Sequence, residues 1–198
     1  MTSTNSIKAV LVREREAWAE ARARASGGKR ILLATNVTGF QHASLLESVL
    51  AVALTLRGAD VSLIGCDAAL PACLKVEAHS VPDPRQVVEG LDPRLCEMCC
   101  KMGDVHFAPL QLPRIRFSQY LTAEDYAGAR ALCAPLDAQA LSTLRNGPGD
   151  EVGMQGLAGA LRYFARGDLP ETEEWTAALR RFVEAALLTS TVFDRVLA

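Results

Sequence analysis

The segment RILLATNVTGFQHASLLESVLAVALTLRGADVSLIG, residues 30–65, decides the fold class that the sequence predicts. Its first eight residues, Arg30 to Val37, and its last seven, Ala59 to Gly65, are short apolar runs typical of buried strands. The residues between them have a helical pattern that stops at Gly58. A strand, a helix and a strand in this order predict a βαβ unit, with parallel pairing and a right-handed crossover.

The helix inside this unit is apolar on almost every side. Its sequence, ASLLESVLAVALTLRG from Ala43 to Gly58, has a single acidic residue, Glu47. A helix that is apolar all round is usually covered by other elements. We therefore expect it to be well buried.

The rest of the chain divides into three further segments. Residues 1–28 predict an N-terminal helix, which Ser26-Gly27-Gly28 ends. Residues 66–118 contain six prolines and five of the six cysteines and show little periodicity, so we expect a cysteine-rich loop insertion. Residues 119–198 are mainly helical: a capping box begins at Thr122, and a last helix opens at Leu169-Pro170-Glu171 and runs to about Val196.

These segments predict one α/β domain over residues 1–198. It has a Rossmann-like parallel sheet flanked by helices, built from the βαβ unit of residues 29–65. The cysteine-rich loop insertion and the helical C-terminal part follow this unit in the chain.

Composition and charge exclude several classes of protein. The chain is 49% hydrophobic and 22% charged, which is a globular profile. A net charge of −2 provides no basic field for nucleic acid. The most apolar window, residues 44–56, is shorter than the ~20 residues of a membrane span. We expect a cytoplasmic protein without a transmembrane segment, in which thiols stay reduced.

Four cysteines fall into two pairs: Cys66 with Cys73, and Cys96 with Cys99. Two residues separate the second pair, a spacing that lets two thiolates bind one metal ion. Four thiolates favour structural zinc as the first interpretation and an iron–sulfur cluster as the second. A bound metal would order the cysteine-rich insertion, because its binding energy contributes to folding. Buried thiols without metal are the third interpretation, because cysteine is among the most buried residue types. Cys100 is interpreted as a spare thiol and Cys133 as a core residue.

The turn TNVTGFQH, Thr35 to His42, is a second candidate site. Ligands of open α/β sheets bind beyond the carboxyl ends of the strands, where this turn, Cys66 and Asp67 lie. The turn has neither a dinucleotide fingerprint nor a P-loop motif. His42 starts a helix whose dipole favours the neutral imidazole, so it suits a general base or a helix-capping residue. Asp67 is either its acid partner or a turn residue.

These residues resemble a known family. The strand followed by Gly39-x-x-His42, and LRGADVSLIGCD at residues 56–67, resemble the N-terminal half of GT-B glycosyltransferases. GCDAALPACLKVE, residues 65–77, and LAGALRYFARGDLPE, residues 157–171, are similar to a bacterial surface or capsule polysaccharide biosynthesis group. The resemblance covers residues 29–198.

The resemblance implies an acceptor-binding lobe that works with a donor-binding lobe, supplied by further chain or by a separate partner. Gly39 and His42 match the turn in which a histidine of such enzymes deprotonates the acceptor. We therefore expect the acceptor-side domain of a glycosyltransferase for a carbohydrate acceptor, with His42 as catalytic base and Gly39 and Asp67 as substrate-binding residues. The alternative is a non-catalytic zinc or iron–sulfur module that acts in binding or redox chemistry.

Overall fold

A computed structural model describes residues 6–168 and 172–198 as a mixed α/β protein with a small, open, parallel sheet. The helices are α1 (Ile7–Arg13), α2 (Arg15–Ala25), α3 (Gln41–Leu56), α4 (Arg85–Glu89), α5 (Pro93–Phe107), α6 (Ala123–Cys133), α7 (Ala138–Ser142), α8 (Val152–Tyr163) and α9 (Glu173–Leu197). The strands are β1 (Arg30–Thr35), β2 (Asp60–Gly65) and β3 (Arg114–Arg116), and 3-10 turns cover Ala108–Leu110 and Phe117–Gln119. We predicted one domain. The structure has two compact units: the first contains the residues up to Asp67 and Cys96–Arg116, and the second contains Ala68–Leu95 and Phe117–Ala198.

The predicted βαβ unit is confirmed in the first unit. β1 and β2 are parallel, with Arg30 opposite Asp60 and Thr35 opposite Gly65. β3 adds a third parallel strand beside β2, so that the order is β1-β2-β3. All three strands therefore end at the same edge of the sheet, at Thr35, Gly65 and Arg116.

The core of the first unit lies between its helices and one face of the sheet. Its buried residues come from α1, α2, α3, β2 and the end of α5: Leu11, Trp18, Ala21, Ala51, Ala59, Val61, Leu63, Phe107 and Leu110. The indole nitrogen of Trp18 donates to the carbonyl of Leu110 at 3.0 Å, which ties α2 to the segment after α5. The single helix predicted before residue 28 is two helices, separated at Glu14.

The prediction that α3 is well buried is wrong. Small and hydroxyl side chains form its buried face: Ser44, Ser48, Ala51 and Thr55. The large side chains lie outward, and Leu46 is 70% exposed. A sheet of three strands is narrow and covers one side of a helix, so apolar residues on the other sides stay in solvent unless another surface meets them.

The prediction of a loop-rich insertion over residues 66–118 is also wrong. The segment contains the 15-residue helix α5 and supplies strand β3, and its residues are divided between the two units. Cysteine packs as a small apolar residue, so Leu95, Cys99 and Met102 follow a helical spacing. Treating the cysteines as ligands hid this periodicity.

The second unit is helical and is built around α9. Its core joins α9 to α6, α7, α8 and the segment of residues 70–91. The capping box at Thr122 is confirmed: Asp125 N–H donates to the Thr122 hydroxyl, and Thr122 N–H donates to the Asp125 carboxylate. The predicted helix opening at residues 169–171 lies outside the described residues. Within residues 6–168 and 172–198, no helix combines the length and the apolarity that crossing a membrane requires.

Candidate functional site

A pocket of about 260 Å³ lies at the carboxyl edge of the sheet in the first unit. Its apolar walls come from the strands and the end of α5: Leu63, Ile64, Phe107 and Ile115. Its polar side chains lie at or just after the ends of β1 and β2, on β3 or on α5: Thr35, Thr38, Cys66, Asp67, Cys100, Asp104, Arg114 and Arg116. The volume lies just below the roughly 300–1,000 Å³ range of small-molecule sites, so the pocket suits a ligand of few non-hydrogen atoms.

Thr38 occupies a tight position in the wall of this pocket. A Cβ atom on Gly65 would lie 2.5 Å from its Cγ2, and one on Gly103 would lie 2.6 Å from its Cβ. Only glycine at both positions lets the end of β2 and helix α5 approach Thr38 this closely. Thr38 is 6% exposed, and its hydroxyl has no hydrogen-bond partner among the described residues. A buried hydroxyl without a partner is costly, so a group that reached it and formed a hydrogen bond would be favoured there.

Gly39 brings the turn after β1 against α5. Its N–H donates to the sulfur of Cys99 at 3.2 Å, and a Cβ at this position would lie 2.6 Å from the Cα of Cys99. The carbonyl of Thr38 accepts a hydrogen bond from the Ser44 hydroxyl at 2.6 Å. These contacts hold the turn between the start of α3 and the middle of α5, and so position Thr38.

The charges that line the pocket balance. Two arginines, Arg114 and Arg116, oppose two aspartates, Asp67 and Asp104. Arg114 donates to the Asp104 carboxylate at 2.6 Å. Burial, the Cys99 thiol and the two aspartates raise the pKa of Cys100, so this thiol stays protonated at neutral pH. The pocket therefore offers donors and acceptors without a net charge.

Thr35 connects the pocket to the only acidic residue of α3. Its hydroxyl donates to the Glu47 carboxylate at 2.7 Å. Burial raises the pKa of Glu47, and the hydrogen bond from Thr35 opposes this increase. The bond orients Thr35 and directs the charge of Glu47 toward the sheet.

The structure brings some of the predicted site residues together and separates others. Asp67 lines the pocket, and Gly39 lies in the adjoining turn. His42 is the second residue of α3, is exposed and is not among the residues that line the pocket. The proposed role of His42 as a base stays a prediction.

Three of the four predicted metal ligands are in the first unit. Cys66 follows β2, and Cys96 and Cys99 lie on helix α5 with Cys100. Cys73 belongs to the second unit, where it packs beside that unit's core and its sulfur accepts from Lys75 N–H at 3.4 Å. Cys133 is buried in the second core, as predicted for a core residue.

The thiols of the first unit influence one another. Burial raises the pKa of Cys96 to about 11, and the neighbouring charges of Cys66, Cys99 and Cys100 add to this effect. Among the described residues, no three His, Cys, Asp or Glu side chains are arranged to hold a metal ion. Ligation by these thiols would therefore need their side chains to move and to lose protons.

Sequence reasoning missed most of the pocket-lining residues on α5 and β3. Asp104, Arg114 and Arg116 lie in the segment interpreted as a loop, where a strand of three residues is too short to show a pattern. Cys100 was interpreted as spare, although it lies one helical turn after Cys96. The helical spacing of the apolar residues and cysteines on α5 was the signal that could have placed Asp104 and Cys100.

The chain matches no protein-family model, no curated protein and no solved structure.

Proposed function

We propose that the first unit binds a small polyhydroxylated ligand and serves as the acceptor-side domain of a glycosyltransferase with a Rossmann-like parallel sheet. The observation that supports this proposal best is the buried, unpartnered hydroxyl of Thr38 in a pocket at the carboxyl edge of that sheet. This edge is where open α/β sheets bind their ligands.

The chemistry of the pocket favours hydroxyl groups. Each hydroxyl both donates and accepts a hydrogen bond, and the pocket offers guanidinium donors beside carboxylate acceptors. Because two arginines face two aspartates, neither an anion nor a cation gains from a net field. The apolar side chain of Ile115, which is partly exposed, adds surface for the C–H groups of a sugar ring.

In this proposal the acceptor hydroxyl is activated by His42, at the exposed N-terminal end of α3. The donor nucleotide sugar is held by a separate lobe. When that lobe is supplied, His42→Ala should lower transfer strongly and leave acceptor binding in the pocket unchanged. Unchanged transfer would remove His42 from the mechanism but would leave the binding proposal standing.

The binding proposal is tested with Thr38→Val, which keeps the shape of the side chain and removes its hydroxyl. Because that hydroxyl has no partner, the variant should be as stable as the original protein or about 1 kcal/mol more stable. The same variant should lose at least tenfold in affinity for monosaccharides, measured by calorimetric titration against a panel of free hexoses and pentoses.

The matched control is Thr55→Val, a second buried threonine of the first unit. Its hydroxyl donates to the Ala51 carbonyl at 2.9 Å, so the variant should lose a little stability and no affinity. If no monosaccharide binds the original protein, or if Thr38→Val binds as tightly as the original, the pocket does not have this function. Tight binding of a nucleotide sugar to this chain alone would contradict the two-lobe assignment.

A second candidate function is favoured by the grouping of four thiols in the first unit. We propose, as the alternative, that Cys66, Cys96 and Cys99 hold a structural metal, zinc before an iron–sulfur cluster. The observation that supports it is their placement: Cys66 directly follows β2, and Cys96, Cys99 and Cys100 lie on α5 in the same unit. Burial first, and these neighbouring thiols second, raise the pKa of Cys96. Cys100, which lies on α5 in the same unit, provides the fourth sulfur, and the role of Cys73 as a ligand stays a prediction.

Titration of the reduced, metal-free chain with Co²⁺ tests this alternative, because thiolate–cobalt sites absorb strongly in the near ultraviolet. We expect one equivalent per chain, and loss of the signal in Cys96→Ser but not in the control Cys133→Ser. Comparing Cys73→Ser with Cys100→Ser identifies the fourth ligand. A chain that binds no Co²⁺ or Zn²⁺, and whose stability does not change with chelator, would exclude the metal.

A further inference from the structure

Four of the six cysteines lie in the first unit, and three of these share one helix. Cys96, Cys99 and Cys100 are on α5, and Cys66 directly follows β2. All four are partly exposed free thiols, so a small reagent in solution can reach them. Their positions decide which pairs can join while α5 stays helical.

Pairs of cysteines within α5 do not have the geometry of a disulfide. Helix residues three or four positions apart, such as Cys96 with Cys99 or Cys100, have Cβ atoms about 5–6 Å apart. A disulfide needs Cβ atoms about 3.5–4.5 Å apart. Cys99 and Cys100 are consecutive, and consecutive side chains of a helix do not face each other. A disulfide in the first unit therefore needs a partner from outside α5, and Cys66 is the cysteine of that unit that meets this condition.

Among the α5 thiols, Cys96 is the best placed partner for Cys66. Burial raises the pKa of Cys96 to about 11, and the largest contribution after burial comes from Cys66. Besides burial, the pKa of Cys100 responds to Cys99 and to charged residues that line the pocket. The sulfur of Cys99 is engaged with the turn after β1, where it accepts the N–H of Gly39 at 3.2 Å.

Cys66 and Cys96 also lie at the two points where the chain leaves the first unit and returns to it. The first unit contains the residues up to Asp67, the chain then supplies Ala68–Leu95 to the second unit, and it returns at Cys96. A covalent bond between the two cysteines would join the end of β2 to the start of α5. Such a bond restricts the unfolded chain, and this restriction favours the folded first unit.

We propose that Cys66 and Cys96 form a reversible disulfide, with a low-molecular-weight disulfide as oxidant, and that this bond stabilises the first unit. One thiol loses its proton, and its sulfur attacks the small disulfide R–S–S–R to form a mixed disulfide and release R–S⁻. The other thiol loses its proton, its sulfur attacks the mixed disulfide, and a second R–S⁻ leaves. Two electrons pass from the protein to the small disulfide, and the two R–S⁻ groups take up the two protons.

The proposal depends neither on sugar binding nor on a bound metal. In a reducing compartment a disulfide of this kind is transient, so it would form when the concentration of oxidant rises and would be reduced afterwards.

Peptide mapping of the full chain tests the pairing without any variant. The reduced protein is incubated with excess oxidised glutathione and a chelator, the remaining thiols are alkylated, and a non-reducing digest is analysed by mass spectrometry. We expect one link, between the peptides of Cys66 and Cys96, which dithiothreitol should reverse. A link from either residue to a different cysteine would overturn the proposal. So would a digest in which mixed disulfides with glutathione are the only products.

Two variants of α5 provide a matched comparison, because both replace a partly exposed thiol of the same helix. Cys96→Ser should abolish the link and leave glutathione bound to Cys66. Cys100→Ser should form the link as the original protein does. Equal loss of the link in both variants would show that it depends on α5 in general, which contradicts the assigned pair.

Urea denaturation measures the stabilising effect of the bond. In Trp175→Phe the remaining tryptophan, Trp18, reports on the core of the first unit. The fluorescence midpoint of the oxidised protein should lie roughly 1 M urea above that of the reduced protein. With Cys96→Ser added, treatment with oxidised glutathione should not shift the midpoint. An oxidised midpoint equal to or below the reduced one would overturn the stabilising role.

Discussion

At the scale of single residues, Asp125 shows how one carboxylate joins two helices of the second unit. Both of its oxygens accept hydrogen bonds from Arg195 of α9 at 2.7 Å, and one also accepts from the N–H of Thr122 at the start of α6. The Arg195 bonds, and then the Thr122 bond, lower the pKa of Asp125 to about 2. The group is therefore charged in the folded protein under all but strongly acidic conditions.

This lowered pKa predicts a pH-dependent contribution to stability. An unfolded aspartate titrates near 3.9, so the contribution is fully present above about pH 4 and is lost as pH falls through about 2. Arg195→Gln should lower the melting temperature by a few degrees at pH 6, and this difference should disappear toward pH 2. Thermal unfolding of both proteins from pH 2 to pH 6 measures it.

An exposed ion pair provides the control. Arg145 donates to Glu151 at 2.7 Å, but both side chains are more than half exposed, and such pairs contribute little to stability. Arg145→Gln should leave the melting temperature nearly unchanged at every pH. A constant difference between Arg195→Gln and the original protein over the whole range would show that packing, not the Asp125 charge, causes the loss.

At the scale of elements, the packing of α8 on α9 depends on glycine. A Cβ atom on Gly156 would lie 2.5 Å from Cγ2 of Val183 and 2.8 Å from its Cα, and one on Gly159 would lie 2.7 Å from Cδ1 of Phe182. Backbone atoms cannot move aside as the end of a flexible side chain can. The spacing of these glycines therefore sets how closely the two helices approach.

We predict that Gly156→Ala destabilises the second unit by about 2–3 kcal/mol, because the added methyl group forces α8 away from α9. Urea denaturation measures the free energy of unfolding. Gly128→Ala on α6 is the control, since no atom lies within 4 Å of the added carbon. Helix propensity should make that variant up to about 1 kcal/mol more stable than the original. Equal effects of the two substitutions would contradict this account.

At the scale of the whole molecule, the two units have separate hydrophobic cores. The buried cluster of the first unit shares no residue with that of the second, which is twice as large. Each cluster contains one of the two tryptophans: Trp18, 5% exposed, in the first and Trp175, 1% exposed, in the second. Fluorescence can therefore follow each unit by itself.

We predict that the first unit unfolds at a lower urea concentration, because less apolar surface is buried in its core. Trp175→Phe leaves Trp18 as the reporter, and Trp18→Phe leaves Trp175. The two fluorescence midpoints should differ by roughly 1 M urea, and the far-ultraviolet circular dichroism of the original protein should show both steps. Superimposed transitions in all three measurements would show that the chain unfolds as one cooperative unit.

The elements that could be predicted are those whose residue pattern lies within one short stretch of the sequence. The parallel pairing of β1 with β2 follows from two apolar runs separated by a helix of suitable length, and the capping box at Thr122 follows from residues three positions apart. Strand β3 could not be predicted, because three residues show no periodicity and its pairing with β2 is a long-range contact. Helix α5 could have been predicted if its cysteines had been counted as apolar.

Part of the candidate site could likewise be predicted from the sequence, and the other part depends on the tertiary structure. The sequence by itself determined that a βαβ unit places the turn of residues 35–42, Cys66 and Asp67 at one edge of a sheet, because the two strands of such a unit are parallel and end at the same edge. Only the tertiary structure decided that Thr38 packs closely against Gly65 and Gly103 and that α5 and β3 complete the pocket. It also decided that Cys73 lies in a different unit from Cys66 and that the outward side of α3 is exposed to solvent. These features depend on which distant segments meet. Periodicity does not record that information, since it tells which face of an element is apolar but not what covers that face.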